Sequence, residues 1–444
     1  MIILYELGNF ELLPEEVDLP RFKEYLRTVW QNRRWLGNDS TAELPDQENL
    51  IRQYGQGLFQ FDGRAIRARN YAGFIQFEGF MLYVLPKIFQ GQGHAPELVF
   101  RHLHFYLSYG RHYRFPFQWA AGFPEYPESW PQALINLFAR QAYETLSQQP
   151  YLAYHSLTEA TPYVRGRLAV DLYLREQIST GQWQQVHNEY SPFRLDNRFN
   201  RIVRYVCRML EPLATGTANH LLQSVQLLLD EVTDTVCTVH DTDHPELRVL
   251  PEEHAHLLAL CRWFLENSYA MPLPAGSSNL TFLVPMERVF EEFVSEFIAQ
   301  HFPDWEAQLQ HSSPLAALST GGSVSIRSDL WLPKNRITLD CKYKMAGRNP
   351  VAPVIAQDDI YQMLAYALAR QSRQCVLLYP SLKTSDFPYP GWEAVVLLPS
   401  SAISIRAVFL PVMVAADEAN WPGAFTGLSR RLQAKLGSLI SPAE

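Results

Sequence analysis

The chain is poor in the features that would place it in several large classes. Of its 444 residues only five are cysteine: Cys207, Cys237, Cys261, Cys341 and Cys375. They are scattered, odd in number and never spaced C-x-x-C, which argues against a disulfide scaffold or a zinc ribbon and fits a reducing, cytoplasmic setting. Charged residues make up 19%, and Lys+Arg 38 against Asp+Glu 46 leaves a net charge of −8. Bulk charge therefore does not drive the chain onto nucleic acid, although a local basic groove stays open to it. No apolar stretch reaches the roughly 18 residues that span a bilayer, and the best late candidate, residues 408–416, is broken by Pro411. No membrane contact is expected. The opening residues carry Glu6 and no basic segment, so no signal peptide is expected. There is no Gly-Lys dipeptide and hence no P-loop, so any nucleotide-driven motor belongs to another chain.

What is present is 47% hydrophobic residues, enough for a sizeable core and for two to four domains. Short apolar and aromatic runs at 2–13 and 58–88, punctuated by Asp62-Gly63, Asn70, Gly73 and Gly79, predict strands. Residues 20–35 between them predict a helix. A polar, Gly-rich stretch at 90–96 marks a first boundary and a Pro/Gly/Ser-rich stretch at 271–279 a second. Between the two, apolar spacing near 3.6 predicts helices at 97–109, 131–148, 198–211 and 252–267, and the uniformly apolar 221–229 reads as a buried helix. Beyond them come a helix at 285–301, a hairpin across 324–343, a helix at 359–370 and strands at 375–379 and 393–398. The expected architecture is therefore α+β and multidomain: a β-rich N-terminal domain (1–92), a mainly helical middle region (93–272) and a C-terminal α/β domain (273–444).

The chemistry concentrates in Ser323–Lys344, SVSIRSDLWLPKNRITLDCKYK. Two β-prone runs flank a turn at Leu332-Pro333-Lys334-Asn335. A four-residue loop sets Trp331 opposite Arg336 and Asp329 opposite Thr338, diagonal to Asp340. Alternation then puts Ser325, Arg327, Asp329, Thr338, Asp340 and Lys342 on one face, and Val324, Ile326, Leu330, Ile337, Leu339, Cys341 and Tyr343 on the other. The sorting depends on an even loop. Two carboxylates at such an edge suit a hard cation such as Mg²⁺, and Lys342 beside them suits an attacking water or developing charge on phosphorus. Across 324–348 six basic residues stand against two acidic ones, which favours an anionic substrate.

Two helices add to the set. Beside an apolar stripe of Met286, Val289, Phe290, Phe293, Val294, Phe297 and Ile298, Glu287 and Glu291 lie one turn apart, and Glu291 is a candidate third carboxylate. Gln362 and Tyr366 share a helix face, with Asp358 or Asp359 expected to cap that helix.

Asp329 followed by a turn and Asp340-Cys341-Lys342 resembles the PD-(D/E)xK nuclease superfamily, with Glu291 in the place of its helix glutamate and Gln362-x-x-x-Tyr366 similar to the Q-x-x-x-Y motif of the RecB-like branch. The proline usual before the first aspartate is replaced by Arg327-Ser328. A closer resemblance is to the McrC family, the nuclease subunits of McrBC-type modification-dependent restriction systems. It is carried in order by Tyr83-Val84-Leu85-Pro86-Lys87-Ile88, Val164-Arg165-Gly166-Arg167-Leu168, Asp196-Asn197-Arg198-Phe199-Asn200-Arg201-Ile202, the Phe290-Glu291 helix, the Asp329/Asp340/Lys342 core and the segment from Asp359 to Tyr366, and it covers roughly residues 81–380.

That resemblance implies a Mg²⁺-dependent endonuclease of double-stranded DNA, acting with an McrB-like AAA+ GTPase that it stimulates, in restriction of phage or other modified DNA. It implies catalytic roles for Asp329, Asp340, Lys342, Glu291 and Gln362 and metal binding by Asp329, Asp340 and Glu291. A regulatory subunit with an inert nuclease fold and a stand-alone RecB-like nuclease are the alternatives. Other clusters read more plainly. His102-x-His104 and His254-x-His256 do not define a metal site. Arg33-Arg34-Trp35 with Arg64, Arg67 and Arg69 read as an ordinary basic face or a protein contact ahead of a DNA surface. Arg165-Gly166-Arg167 reads as a tight turn needing glycine, and Cys341 as core.

Overall fold

A computed structural model describes residues 1–31, 57–91, 93–110, 116, 129–154, 156–268, 279–317, 323–344, 355–381, 392–398, 401–414 and 421–439. The chain forms two compact units, Met1–Pro127 with Leu280–Glu444, and Glu128–Asn279. The expected three-part division is thus redrawn, because the first and last segments share one unit. The cause is a long-range pairing. Strand β7 (Leu280–Pro285) runs antiparallel to β5 (Tyr71–Phe77), and it completes a sheet in which β6 (Phe80–Leu85) lies between β5 and β1 (Ile2–Tyr5). All six residues of β7 are buried. At the crossing Gly73 sits at φ +143, and a Cβ there would lie 1.9 Å from the Phe282 carbonyl oxygen, so only glycine allows the two backbones to meet. Helix α1 (Leu19–Gln31) covers this sheet through Phe22 and Tyr25, whose rings pack at a tilt against Phe77, and the Tyr25 hydroxyl bonds that of Thr281. A smaller sheet joins β2 (Glu11–Leu12), β4 (Ala65–Ala68) and β3 (Phe59–Asp62), in the order β2-β4-β3.

The same unit holds a six-stranded mixed sheet. Its strands are β8 (Gln308–Ala317), β9 (Ser323–Leu332), β10 (Ile337–Cys341), β11 (Gln374–Ser381), β12 (Trp392–Leu398) and β13 (Ser401–Pro411), in the order β8-β9-β10-β11-β13-β12. β10, β11 and β13 run parallel, and the other pairs are antiparallel. Both faces of the central strands are covered: β10 is buried at every position, Thr338 and Asp340 included, and β11 at all but its ends. Helix α4 (Gln357–Arg370) makes the crossover from β10 to β11, and its Met363, Tyr366 and Ala367 pack on Cys375, Leu377, Tyr379, Ile405 and Ala407. Helices α3 (Met286–His301) and α5 (Trp421–Gly437) also pack on this sheet, and α2 (Pro96–Leu107) packs on α3.

The second unit is built on helices at Trp130–Gln148, Arg198–Leu210, Gly216–Leu228 and Glu252–Asn267. It also carries a three-stranded sheet, in which Val186–Tyr190 lies between Leu157–Thr161 and Arg167–Leu168, and a two-stranded ribbon of Ala153–Tyr154 with Phe193–Arg194. Short strands without clear alternation left these out of the sequence reading. The helix expected at 221–229 starts earlier and is not buried throughout, since Leu227 is 75% exposed. Gly166 has φ +72, and a Cβ there would meet the Glu189 carbonyl oxygen at 2.5 Å, so the Arg165-Gly166-Arg167 turn does require glycine. Among the described residues no helix is long and apolar enough to cross a membrane. Arg33, Arg34 and Trp35, and residues 271–278 of the expected second boundary, lie outside the described residues.

Candidate active site

The hairpin of β9 and β10 forms with the expected parity but a different register. Trp331 pairs with Thr338 and Leu332 with Ile337, around a four-residue turn at Pro333, Lys334, Asn335 and Arg336. The shift from Arg336 to Thr338 opposite Trp331 is two residues, so every side chain keeps its face. Continued one step past Leu330–Leu339, the register sets Asp329 in line with Asp340 rather than with Thr338. The turn closes at Arg336, which takes φ +53. That conformation is unusual for a residue other than Gly or Asn.

Four elements bring the five expected residues to this point, and β8 adds Gln310. Asp340 lies on β10 and is 1% exposed. Lys342, just past the end of β10, places Nζ 2.7 Å from Asp340 Oδ2. Asp329 on β9 accepts a 2.7 Å hydrogen bond from the Cys341 amide. On its other side the β8–β9 ladder pairs Leu309 with Leu330 and His311 with Ser328, leaving Gln310 and Asp329 between them. Gln310 takes φ +49, and its amide donates to Glu291 on α3. Glu291 also shares a hydrogen bond with Asp329. From α4, Gln362 Oε1 accepts from Lys342 Nζ at 2.7 Å. Gln362 Nε2 donates to the Tyr366 hydroxyl at 2.6 Å, and that hydroxyl donates to the Arg327 carbonyl at 2.8 Å. A continuous chain of bonds thus runs from the β9 backbone through Tyr366 and Gln362 to Lys342 and Asp340. All five expected site residues are brought together.

The electrostatics follow from crowding like charges where water is scarce. Burial, with the Asp340 and Glu292 charges, pushes the Glu291 carboxyl up to about 7 against the Asp329 hydrogen bond. Burial, Asp340 and Glu291 push Asp329 well above the usual carboxylate range. Burial raises Asp340 in spite of Lys342. For Lys342 burial acts downward, but the Asp340 charge and hydrogen bond, with Asp359 and Asp329, outweigh it and hold the ammonium charged.

A cluster of three carboxyls with raised pKa fits a hard cation, whose charge would relieve that repulsion. Among the described residues, however, no group of three or more His, Cys, Asp and Glu is arranged as a ready-made metal cage. Mg²⁺ commonly takes only one or two protein carboxylates and completes its shell with water and substrate phosphate. Asp329 and Asp340 meet that smaller requirement, while Glu291 is engaged with Asp329 and Gln310.

The expected cap of α4 is corrected. Ala356 occupies the N-cap without a side-chain bond, and Asp358 and Asp359 fall inside the first turn. Asp359 instead accepts from Lys344 Nζ at 2.8 and 2.9 Å and from the Tyr379 hydroxyl at 3.2 Å. Lys344 repeats the spacing of Lys342, a visible signal, but no sequence feature names Asp359 or Tyr379 as its partners. Arg64 donates to the Pro14 and Val17 carbonyls and Arg67 to the Leu7 carbonyl, so both of these side chains are tied to nearby backbone. His102 is spent on the Leu98 carbonyl and the Val414 amide.

The fold and site define a class: a mixed α/β protein of several sheets, with an aspartate pair, a glutamate and a lysine gathered at the end of two central strands. The chain belongs to the family described as McrBC 5-methylcytosine restriction system component, whose model matches residues 66–380, a span that contains the whole site. The membership expected from the motifs therefore holds. No curated protein matches the chain. Among solved structures, a chain of the refined half-complex from a tetradecameric assembly of Thermococcus gammatolerans McrB AAA+ hexamers with bound McrC superposes with a TM-score of 0.68 at 17% identity, over 99% of this chain and 100% of that one. A chain of the cryo-EM structure of the Thermococcus gammatolerans McrBC complex matches at a TM-score of 0.46 and 18% identity, over 68% of this chain and 87% of that one. The first likeness establishes a shared fold and nothing about activity.

Proposed function

We propose that this chain is the Mg²⁺-dependent endonuclease subunit of a GTP-dependent restriction complex, acting in the cytoplasm on double-stranded DNA with an McrB-like AAA+ GTPase that it stimulates. In this reading the mixed sheet with α3 and α4 is a PD-(D/E)xK nuclease core. The carrying observation is the convergence of Asp329, Asp340, Glu291, Lys342 and Gln362 from four elements onto one buried point, in a chain of the restriction family. The McrB hexamers with bound McrC in the structure of like fold support the partner.

Asp329 and Asp340 would hold Mg²⁺, with Glu291 as a further carboxylate once its bond to Asp329 opens. Bound there, the ion supplies polarisation of a phosphoryl oxygen and a bound water of lowered pKa. Lys342 is charged and held on both sides, so it acts as a fixed cation toward negative charge developing on phosphorus, and not as a base. Gln362 keeps the lysine aimed, and Tyr366 keeps Gln362 aimed.

Glu291 is held by Gln310 and Asp329 and not turned to an open site, which favours a second reading, a regulatory subunit that activates the GTPase without cutting. One experiment separates the two. The chain is mixed with its GTPase partner, GTP, Mg²⁺ and a plasmid containing 5-methylcytosine, beside Asp340→Ala and Lys342→Ala. Cleavage that falls by about 100- to 1,000-fold in Lys342→Ala, with partner binding intact, is expected. GTPase stimulation without any cleavage by the unaltered chain would establish the regulatory reading, and cleavage without partner or GTP a stand-alone nuclease.

A further inference from the structure

The site has a second lysine, and its placement poses a problem that the fold solves. After Lys342 the chain turns tightly: the Lys342 amide donates to the Leu378 carbonyl at 2.8 Å, and the Lys344 amide donates back to the Lys342 carbonyl at 2.8 Å. Lys342 and Lys344 therefore leave the strand end close together. Asp340, almost fully buried, lies within electrostatic range of both. Lys342 is the one that reaches it. Lys344 is tied instead to Asp359, whose side chain is 5% exposed and which is set by the Tyr379 hydroxyl; the Lys344 side chain itself is 51% exposed. A buried carboxylate that takes two bonds from one ammonium and a third from a tyrosine is built to keep that ammonium in place.

We infer that Asp359 is a positioning residue that sequesters Lys344, so that Asp340 is left to Lys342 alone. Removing the Asp359 charge frees a flexible cation two residues from Lys342. The freed ammonium competes for the Asp340 carboxylate, and Lys342 loses the geometry that Gln362 and Asp340 together impose. A purely structural ion pair would behave differently. Losing Lys344 would then cost the most stability because it strands a buried carboxylate, losing Asp359 would only leave a half-exposed ammonium to water, and neither would lower kcat selectively.

This inference rests on the nuclease reading, and its test separates the two. Asp359→Asn, Lys344→Met and the double variant are assayed as full chains in complex with the GTPase partner, on 5-methylcytosine plasmid with Mg²⁺ and GTP. Melting temperatures and the KM for DNA are measured alongside. Asp359→Asn is expected to lower kcat by about 10- to 100-fold with KM for DNA little changed, the size usual when a group that orients a site residue is lost. Lys344→Met alone is expected to cost under about tenfold, and the double variant to recover to the level of Lys344→Met. Tyr379→Phe leaves the carboxylate and removes the hydroxyl that sets it. It should give the same pattern on a smaller scale, and it decides the matter if Asp359→Asn does not fold. Unchanged kcat in Asp359→Asn, or a loss that Lys344→Met does not relieve, would overturn the sequestering role while leaving the nuclease reading intact. An inactive unaltered complex would overturn both.

Discussion

Two aspartates, one in each compact unit, show how differently this chain treats a carboxylate. Asp196, in the helical unit, accepts from Arg201 Nε and Nη2 at 2.7 and 2.8 Å and from the Thr233 amide and hydroxyl at 3.1 and 2.7 Å. The Arg201 bonds, with those of Thr233, hold it well below the usual carboxylate range against a modest burial cost. Asp329 has one backbone donor and two carboxyl neighbours, and it is held well above that range. Both residues belong to motifs that carry the family resemblance. A carboxylate supplied with every donor it can use contributes to the fold. One buried among others of its own sign is destabilising in isolation and fits a position where an external cation completes the balance.

The largest test of this contrast is the pH dependence of stability without divalent cation. Carboxyls raised in the folded state bind protons before their unfolded counterparts do, so stability rises as pH falls from about 7, the folded value of Glu291, toward its ordinary 4.5. The Glu291 contribution is on the order of 3 kcal/mol. Thermal melts from pH 7.5 to 5 should show it, and Glu291→Gln should flatten the slope. A melting temperature that falls steadily over this interval would break the contrast. Asp196 has the opposite sign. Its stabilisation is complete above the unfolded carboxylate value and is lost as pH falls through its depressed folded one. Asp196→Ala should cost about 2 kcal/mol at neutral pH, measurable by chemical denaturation, and the difference from the unaltered chain should shrink toward pH 3.

Much of the site was legible because its signals are local. The alternation in 323–343 survived a two-residue error in register, since only loop parity sets the faces. The helix at Glu252–Asn267 agrees at both ends with its apolar spacing, and the four-residue step from Gln362 to Tyr366 is a hydrogen bond in the fold. What was not legible is long-range. Nothing near Gly73 announces a partner two hundred residues on, yet that pairing decides which segments share a unit. The turn slipped because Arg336, not Asn335, adopts the left-handed conformation, which lets Leu332 stay in the strand opposite buried Ile337. Asp359 was read as a cap because a carboxylate at a helix start is usually one, and its true partners are Lys344, past the end of β10, and Tyr379 on β11.

The smallest expected effect sharpens the contrast at the level of a single hydroxyl. Tyr366 and Tyr190 each carry a hydroxyl bound to another side chain, one in each unit. Tyr366 bridges Gln362 to the Arg327 carbonyl in a largely buried position. Tyr190 donates to Glu159 on the surface of the three-stranded sheet, where water can replace the bond. Tyr366→Phe strands the Gln362 amide and loosens the residue that aims Lys342. It should lower stability by about 1 kcal/mol and cleavage by a factor of about 5 to 10, with KM for DNA unchanged. Tyr190→Phe should change neither. Were the two substitutions to behave alike, Tyr366 would be packing and nothing more, and the orientation of Lys342 would have to be credited to Asp340 and Gln362 without support from the Tyr366 hydroxyl.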